Sequence, residues 1–428
     1  MTRTVDVLVV GAGPAGLAAA AGLAAAGAGR VEVLERETDA GGVPRHCVRP
    51  GFGSDALGRP LDGPAYARRA VRAASRAGAT VRTGVSATGW AAPLTLDVTA
   101  PTGLERIRAR AVVLATGARE RPRSARLVPG SRPAGVLTTG ELQRTVARFG
   151  ARAGLAGRRA VVVGGDPVAR HAVRTLREAG AVVAAVVCER PGTATALGVG
   201  GAFATPVPVL SGTVVTELTG RGRLTGVAVR AGDGRTAVLR CDTVVFTGDW
   251  IPDHELVRLL GVPLAPGTRG PVTDGDFRTA EPGVFAVGNL LHGGEPARRA
   301  AAEGRAVVGA VLARLAGRPW PAGGVPVAVA TEGPLRWVTP GLLGPAPVPG
   351  TSEAVSLPPP VPAPPVRLLV RPERRLVRPV LTVRQGDVLL GRERLAATLV
   401  PWRSVRLGPW WTDGVDGAGG PVVVAAEE

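Results

Sequence analysis

The sequence predicts an α/β protein with two doubly wound, three-layer domains and a small β-rich C-terminal segment. Three observations predict this fold. An apolar strand, a glycine turn, an alanine-rich helix and a second apolar strand follow one another over residues 6–35. The same order recurs over residues 159–190, and short alternating runs over residues 366–408 indicate β-strands. A chain of 428 residues exceeds one hydrophobic core, so several domains are expected.

The glycines of the first unit have the spacing that a bound dinucleotide requires. Gly11, Gly13 and Gly16 fill the three glycine places of the G-x-G-x-x-G fingerprint. The first permits a tight turn, the second lets a pyrophosphate approach the backbone, and the third lets the helix pack on the strand. A helix that begins at Pro14 and Ala15 directs its N-terminal N–H groups at that pyrophosphate.

An acidic residue completes the first unit. Glu35 follows the second strand at about the expected distance, roughly 20 residues after the glycines. A carboxylate at this place accepts hydrogen bonds from the ribose hydroxyls of an adenosine and repels a 2′-phosphate. Strand, glycines, helix, strand and acid in this order predict a dinucleotide site.

The second unit keeps the strand order but has a damaged fingerprint. Gly164 and Gly165 open its turn, and Glu189 stands near the place of the ribose acid. Asp166, however, occupies the close-approach position, where it adds bulk and negative charge against a pyrophosphate. Ala169 at the third place is tolerable. The sequence therefore leaves open whether this unit binds NAD, NADP or neither.

Two further strand ends carry candidate binding residues. Thr116 and Gly117 end a buried strand over 111–114, which is expected to return beside the first nucleotide. Gly288 and Asn289 end a strand in the GVFAVGN segment. Asn289 is the only asparagine of the chain, and its amide can donate to a phosphate oxygen and can donate to or accept from a ribityl hydroxyl. The alternative is that Asn289 is a turn residue.

Composition limits the kind of partner. The formal charge of +18 would ordinarily suggest nucleic acid, but the chain has no lysine and its arginines are scattered without interleaved aromatic residues. We therefore expect no nucleic-acid partner. Cys47, Cys188 and Cys241 have neither disulfide nor metal-ligand spacing, so no metal site is predicted and a cytoplasmic location is expected. No membrane-spanning segment is expected either.

These motifs together resemble the pyridine nucleotide-disulfide oxidoreductase superfamily, whose members have two Rossmann-like dinucleotide-binding domains. The resemblance spans about residues 5–318. It implies an FAD-dependent oxidoreductase that binds FAD through the glycines of the first unit, Pro14, Ala15, Glu35, Thr116, Gly117, Gly288 and Asn289. The superfamily usually has Asp in place of Asn289. The helix beyond Gly293 would then direct its positive end at the flavin pyrimidine ring.

More narrowly, the segments GGVPRHC, GPAYARR, ATGARERPR, VLTTGELQ and VFTGDWIP are similar to the flavoprotein subunits of heteromeric amine dehydrogenases of the opine oxidase, hydroxyproline dehydrogenase and hydrogen cyanide synthase types. The resemblance implies a second flavoprotein subunit that oxidises a C–N bond of a small-molecule substrate. It also implies a small Fe–S protein as partner, because the C-terminal part of this chain contains no cysteine.

Three enzymatic functions remain open from the sequence, beside a non-enzymatic one in which FAD is a structural prosthetic group of a binding subunit. The first is an electron-transferring subunit of an amine or imino-acid dehydrogenase. The second is a self-contained NAD(P)H-dependent flavoprotein reductase. The third is a peroxide or disulfide reductase that uses Cys47 alone, with Arg45 and a protonated His46 favouring the thiolate. His46 is also a candidate proton donor near the flavin.

The expected domain bounds follow from these motifs. The FAD-binding domain comprises 1–125 and 268–318, and 126–267 form an inserted NAD(P)-binding-like domain. A Pro-rich linker over 319–365 leads to a β-rich segment over 366–428. The residues after Trp411 are expected to be loose.

Overall fold

The chain folds into two compact units. The computed structural model describes residues 2–55, 57–150, 157–190, 207–320, 326–344 and 367–428. One unit comprises Met1–Arg45, Arg49–Ala118 and Pro252–Glu428, and the other comprises His46–Val48 and Arg119–Ile251. The inserted unit thus begins before the expected residue 126 and ends before the expected residue 267. One reason is that Leu256, Val257 and Val262 pack in a core of the first unit.

The first unit contains a parallel sheet with helices on one face and a second β-sheet on the other. Its elements before the insertion are β1 (Thr2–Thr4), β2 (Val7–Val10), α1 (Pro14–Ala25), β3 (Val31–Glu35), a 3-10 turn (Val43–His46), β4 (Pro50–Ser54), β5 (Pro60–Asp62), α2 (Gly63–Arg76), β6 (Thr80–Thr83), β7 (Ser86–Ala92), β8 (Thr95–Ala100), β9 (Gly103–Arg108) and β10 (Ala111–Leu114). The predicted strands of the first βαβ unit and the helix that begins at Pro14 are all present.

The inserted unit is also built on a parallel sheet that contains a strand–helix–strand segment. Its elements are β11 (Ala118–Glu120), β12 (Val136–Thr138), α3 (Thr139–Phe149), β13 (Arg159–Val163), α4 (Pro167–Glu178), β14 (Val182–Cys188), β15 (Val209–Ser211), β16 (Thr213–Thr219), β17 (Gly226–Ala231), β18 (Thr236–Arg240), β19 (Thr243–Phe246) and β20 (Trp250–Pro252). Strands β11 and β20 pair with each other. In the described residues, β12-β19-β13-β14-β15 form a parallel sheet and β16-β17-β18 an antiparallel one.

After the insertion the chain completes the first unit. The elements here are α5 (Glu255–Leu259), β21 (Val284–Ala286), a 3-10 turn (Gly288–Leu290), α6 (Ala297–Ala306) and α7 (Val308–Leu315). Strand β21 closes a parallel sheet of order β21-β10-β2-β3-β6. Helix α1 and the segment of α6 and α7 share one core with one face of this sheet, while the β1-β9-β8-β7 sheet packs on the other face. Among the described residues, no helix is long and apolar enough to cross a membrane.

The remaining strands form what we call the C-terminal β-module, residues 326–344 and 367–428. Its strands are β22 (Val327–Thr331), β23 (Leu335–Thr339), β24 (Leu342–Leu343), β25 (Leu368–Pro372), β26 (Val380–Gln385), β27 (Val388–Arg394), β28 (Val405–Leu407) and β29 (Val422–Glu427). They form the sheets β24-β22-β29-β26-β27 and β23-β25-β28 around one shared core.

The C-terminal β-module corrects two expectations. Strands β22 to β24 lie inside the expected linker 319–365, because their apolar side chains pack in the same core as β25 and β26. Within that linker, residues 321–325 and 345–365 lie outside the described residues. The residues after Trp411 are not loose throughout, since β29 pairs with β22 and β26 and fully buries Val422 and Val424.

Candidate functional site

The turn between β2 and α1 requires two of its glycines. Gly11 has a φ of +106°, and a Cβ there would lie 2.4 Å from the carbonyl oxygen of Ala115. A Cβ at Gly16 would lie 1.9 Å from the carbonyl oxygen of Gly11. Only glycine at positions 11 and 16 therefore lets α1 pack this closely against β2 and the end of β10.

The middle glycine leaves open space at the N-terminus of α1. Gly13 is the N-cap residue with a φ of −82°, and a Cβ built on it meets no atom within 4 Å. Among the described residues, no side chain caps this helix, which begins at Pro14 and Ala15. The loop of Gly41 lies against the turn, with its N–H donating to the Ala12 carbonyl at 2.8 Å. Uncapped N–H groups facing open space fit the pyrophosphate of FAD.

Glu35 ends β3 beside this turn. Its carboxylate accepts hydrogen bonds from the backbone N–H groups of Ala12 at 3.2 Å and Glu37 at 3.0 Å, and the residue is buried. Burial raises the pKa of Glu35, and the two N–H groups act in the opposite direction. Each carboxylate oxygen keeps a second lone pair, so the position fits the ribose hydroxyls of an adenosine.

The turn after β10 is tied to the chain as it returns from the insertion. The Thr116 hydroxyl donates to the Asp253 carbonyl at 2.6 Å, and the Asp253 N–H donates to the Gly117 carbonyl at 2.9 Å. Gly117 has a φ of +80° and open space around its Cβ direction. The Thr116 side chain is therefore used within the protein, while Gly117 presents backbone.

The turn after β21 is held by hydrogen bonds within its own loop. The side chain of Asn289 accepts from the Glu295 N–H at 3.1 Å and donates to the Glu295 carbonyl at 3.3 Å. Gly288 has a φ of +74° and donates its N–H to the carboxylate of Glu303 at 2.9 Å. Asn289 thus serves as a turn residue here, and one further hydrogen and one lone pair of its amide stay available for a ligand.

The second unit has the same turn geometry with one decisive difference. Gly164 has a φ of +139°, and a Cβ there would meet Thr247 at 2.0 Å, just as Gly11 meets Ala115. Asp166, the counterpart of Gly13, caps α4: its carboxylate accepts from the Ala169 N–H at 3.1 Å. It also fills the space at Gly248, where a Cβ would lie 2.1 Å from it. The N-terminus of α4 is therefore occupied by the protein's own carboxyl group, whose pKa is raised by burial.

A second carboxylate lies beside Asp166. Glu120 is buried and accepts from the N–H groups of Gly140 at 2.7 Å and Gly248 at 3.1 Å. Burial, with a smaller contribution from the charge of Asp166, raises the pKa of Glu120 to about 7. Arg126 is a nearby cation, but its guanidinium is bound to the carbonyls of Thr247 and Gly248, both at 2.9 Å.

The remaining residues predicted for a second nucleotide are placed as follows. Gly165 lies in the turn between β13 and α4, next to Asp166. Glu189 directly follows β14 and is exposed, at the strand end where a ribose acid would stand. The residues that follow, 191–206, lie outside the described residues. Asp166 and Glu120 thus place two buried carboxyl groups beside the N-terminus of α4.

Cys47 does not have the environment expected of a reactive thiol. Burial, together with the negative charge of Glu120, raises the pKa of Cys47 to about 11. Its Sγ donates to the side-chain oxygen of Gln143 at 3.6 Å. The expectation of a favoured thiolate is therefore wrong, since the segment 46–48 packs with the inserted unit. His46 ends the 3-10 turn Val43–His46 and is half-buried.

Sequence reasoning missed several residues that shape these turns. Glu303 bridges the Gly288 N–H and the buried imidazole of His292, whose Nε2 lies 3.0 Å from it. Gly304 lets α6 contact α1, because a Cβ there would lie 2.0 Å from the Ala15 carbonyl oxygen. The sequence does contain a signal for them: Glu303 is followed by Gly304 in the helical segment after the GVFAVGN strand.

These two related turns, one open and one capped, belong to two Rossmann-like βαβ units. Residues 5–304 match the pyridine nucleotide-disulphide oxidoreductase family. The chain therefore belongs to this family, which confirms the prediction from the sequence motifs.

Similar proteins agree with this assignment. The alpha subunit of sarcosine oxidase from Corynebacterium sp. (strain U-96) is 33% identical over 273 residues, covering 58% of this chain and 26% of that protein. A subunit of opine oxidase from Agrobacterium tumefaciens (strain Ach5) is 38% identical over 154 residues, covering 34% and 30%. The chain thus spans less than a third of the length of these relatives.

Among solved structures, thioredoxin reductase of Lactococcus lactis matches with a TM-score of 0.57 and 18% identity. The match covers 73% of this chain and 99% of that one. It confirms the predicted α/β fold with two Rossmann-like domains.

Proposed function

We propose that this chain is the electron-transferring flavoprotein subunit of an amine or imino-acid dehydrogenase, an enzyme that oxidises a C–N bond. The observation that carries the proposal is the capping of α4 by Asp166. A nicotinamide dinucleotide would have to place its pyrophosphate where this carboxylate stands, next to Glu120. A flavoprotein without that donor receives its electrons from elsewhere.

We propose that FAD is held in the first unit, where the turns are open. Gly11, Gly13 and Gly16 admit the pyrophosphate to the N-terminus of α1, and Glu35 accepts from the ribose. The proposed contact set is completed by Pro14, Ala15, Thr116, Gly117, Gly288 and Asn289. Bound FAD supplies the two-electron and one-electron redox chemistry, while the protein supplies position and electrostatics.

The proposed source of electrons is a partner. Both curated relatives are, by name, parts of multi-subunit oxidases, which supports the presence of a second subunit. We propose that this subunit is a flavoprotein that oxidises the C–N bond of a small molecule, and that a small Fe–S protein is a further partner. His46 remains a candidate proton donor in this proposal.

A self-contained NAD(P)H-dependent reductase is the second candidate function. It is favoured by Gly164, whose backbone geometry matches that of Gly11, and by the exposed Glu189 at the end of β14. It would require the Asp166 carboxylate to leave the N-terminus of α4 or to accept a proton. The third candidate, a reductase that uses Cys47, is disfavoured by the raised pKa of that thiol.

An anaerobic absorbance titration separates the first two functions. The purified, FAD-loaded chain is titrated with NADH, then NADPH, then dithionite. We expect no bleaching of the flavin band by either nucleotide and full reduction by dithionite. The Asp166→Gly variant is the matched comparison, because it restores the residue that the first unit has at Gly13. Rapid bleaching of the wild-type flavin by NADH or NADPH would overturn the proposal in favour of the reductase.

A further inference from the structure

The C-terminal β-module contacts the loop that follows β21. We call residues 288–296 the β21–α6 loop. Arg371, on β25, donates from Nη1 to the Gly293 carbonyl at 2.9 Å and from Nη2 to the carboxylate of Glu295. Arg371 and Glu295 are 6% and 7% exposed, so this is a buried ion pair. It joins the module to the loop that holds Gly288 and Asn289.

Glu295 connects this ion pair to Asn289. Its backbone N–H and carbonyl bind both ends of the Asn289 amide, at 3.1 and 3.3 Å. Its carboxylate also lies 3.3 Å from Nε of Arg299 on α6. Arg371 therefore holds the residue that fixes the orientation of the Asn289 side chain.

A second contact runs in parallel. Trp337, on β23, stacks on the buried imidazole of His292 with ring centroids 5.4 Å apart and an interplanar angle of 23°. The guanidinium of Arg371 lies over the same indole, 4.8 Å from its centroid. His292 in turn contacts Glu303, which accepts the Gly288 N–H. The module thus reaches both ends of the Gly288–Asn289 turn.

The charge of Glu295 has an electrostatic consequence. Glu295 directly precedes Pro296, the N-cap residue of α6, and among the described residues no side chain caps this helix. The N-terminus of a helix stabilises a nearby negative charge. A carboxylate at that end without a countercharge would weaken the stabilisation of any further negative charge there. Arg371 supplies the countercharge from a different part of the chain.

We propose that Arg371 is a positioning residue for the flavin: it fixes the β21–α6 loop through Glu295 and neutralises Glu295, so that the N-terminus of α6 stabilises negative charge on the reduced flavin. This inference rests on the proposed FAD contacts of Gly288 and Asn289. It assigns a role to the C-terminal β-module, for which the sequence alone suggested none.

The test measures the flavin midpoint potential of the full FAD-loaded chain by dye equilibration, together with its melting temperature. Arg371→Met leaves the Glu295 charge with Arg299 as its remaining cationic partner and should shift the potential to more negative values. Glu295→Gln leaves the cation and should shift it to more positive values. The double variant should lie close to wild type. The matched control is Arg374→Met, since Arg374 forms an exposed ion pair with Glu428 in the same module, at 2.8 Å.

Opposite shifts of the two single variants would support the proposal, because lost packing alone would lower the melting temperature of both without that pattern. Potentials equal to wild type in both variants, or shifts in the same direction, would overturn it. If Arg371→Met does not fold, the near-isosteric Glu295→Gln still tests the proposal. A shift of its midpoint potential to more positive values would support the proposal, and an unchanged or more negative potential would overturn it. A wild-type chain that cannot bind FAD would overturn the proposed function itself, whereas unshifted potentials in a chain that binds FAD overturn this inference alone.

Discussion

The carboxylate of Asp166 accepts a hydrogen bond from the Ala169 N–H at 3.1 Å, and so caps the helix whose counterpart in the first unit is left open at Gly13. The two βαβ units share their strand order and the positive φ of Gly11 and Gly164. They differ in what stands at the helix N-terminus. The side chain at this position thus distinguishes a turn that fits a pyrophosphate from a turn that already holds a carboxyl group.

Gly13→Asp should reproduce the second turn in the first unit. Gly13 has extended backbone and open space, so the new side chain can cap α1 without strain. We expect loss of FAD from the purified protein and an unchanged or slightly higher melting temperature of the FAD-free protein. Flavin absorbance per chain and thermal melting measure both. Gly309→Asp, in the first turn of α7 with open space around it, is the control and should keep FAD.

Gly16→Ala should be destabilising. Its Cβ would lie 1.9 Å from the Gly11 carbonyl oxygen, so α1 has to move away from β2. Forced displacement of this kind costs about 1–3 kcal/mol, and FAD affinity should fall as well. Urea unfolding and flavin retention measure the two effects. Gly309→Ala meets no neighbour and should be neutral or stabilising. Equal stability of both variants would contradict the close approach of α1.

The geometry of the first turn is the part that sequence predicts best. Gly11, Gly13, Gly16 and Glu35 lie within one local strand–helix–strand segment, where spacing determines position. The sequence also indicated Asp166 as an obstacle, but the cap that it forms with Ala169 became visible only in the structure. These predictions succeed because they depend only on backbone geometry within one local segment of the chain.

Contacts between distant residues escaped prediction for a physical reason. The Asn289 amide is bound by Glu295, and Glu295 by Arg371, which lies on a strand of the C-terminal β-module. Periodicity does not reveal which strand will carry the countercharge of a buried carboxylate. The same holds for Cys47, whose high pKa depends on burial and on Glu120, far away in the sequence.

Cys47 should react slowly with alkylating agents. Its pKa of about 11 leaves little thiolate at pH 7.5. We expect alkylation by iodoacetamide to be at least about tenfold slower than that of free glutathione, whose thiol is less perturbed. Mass spectrometry of peptides follows the rate at this position, and the urea-unfolded chain serves as the control. Alkylation as fast as that of glutathione would restore Cys47 as a redox candidate.

Glu120 should make stability depend on pH. Its pKa of about 7 in the folded chain exceeds the value of about 4.3 for an unperturbed glutamate. The folded chain therefore keeps a proton that the unfolded chain has released, so this residue contributes most below about pH 4 and loses that contribution as pH rises towards 7. Glu120→Gln should gain about 2–3 kcal/mol relative to wild type between pH 5 and pH 8.

Urea unfolding at pH 5 and pH 8 measures this difference. The control is Glu178→Gln, because Glu178 is an exposed carboxylate of the same unit. It should follow the wild-type pH profile. Parallel profiles of Glu120→Gln and wild type would contradict the raised pKa of Glu120.

We propose that the first βαβ unit binds a dinucleotide and that the second does not. Native mass spectrometry of the FAD-loaded chain in excess NADH, and separately in excess NADPH, tests it most directly. We expect one FAD per chain and no bound nicotinamide nucleotide in the wild-type protein, and no FAD in Gly13→Asp. A complex of the wild-type chain with both FAD and a nicotinamide nucleotide would contradict it, since that nucleotide would have displaced the Asp166 cap.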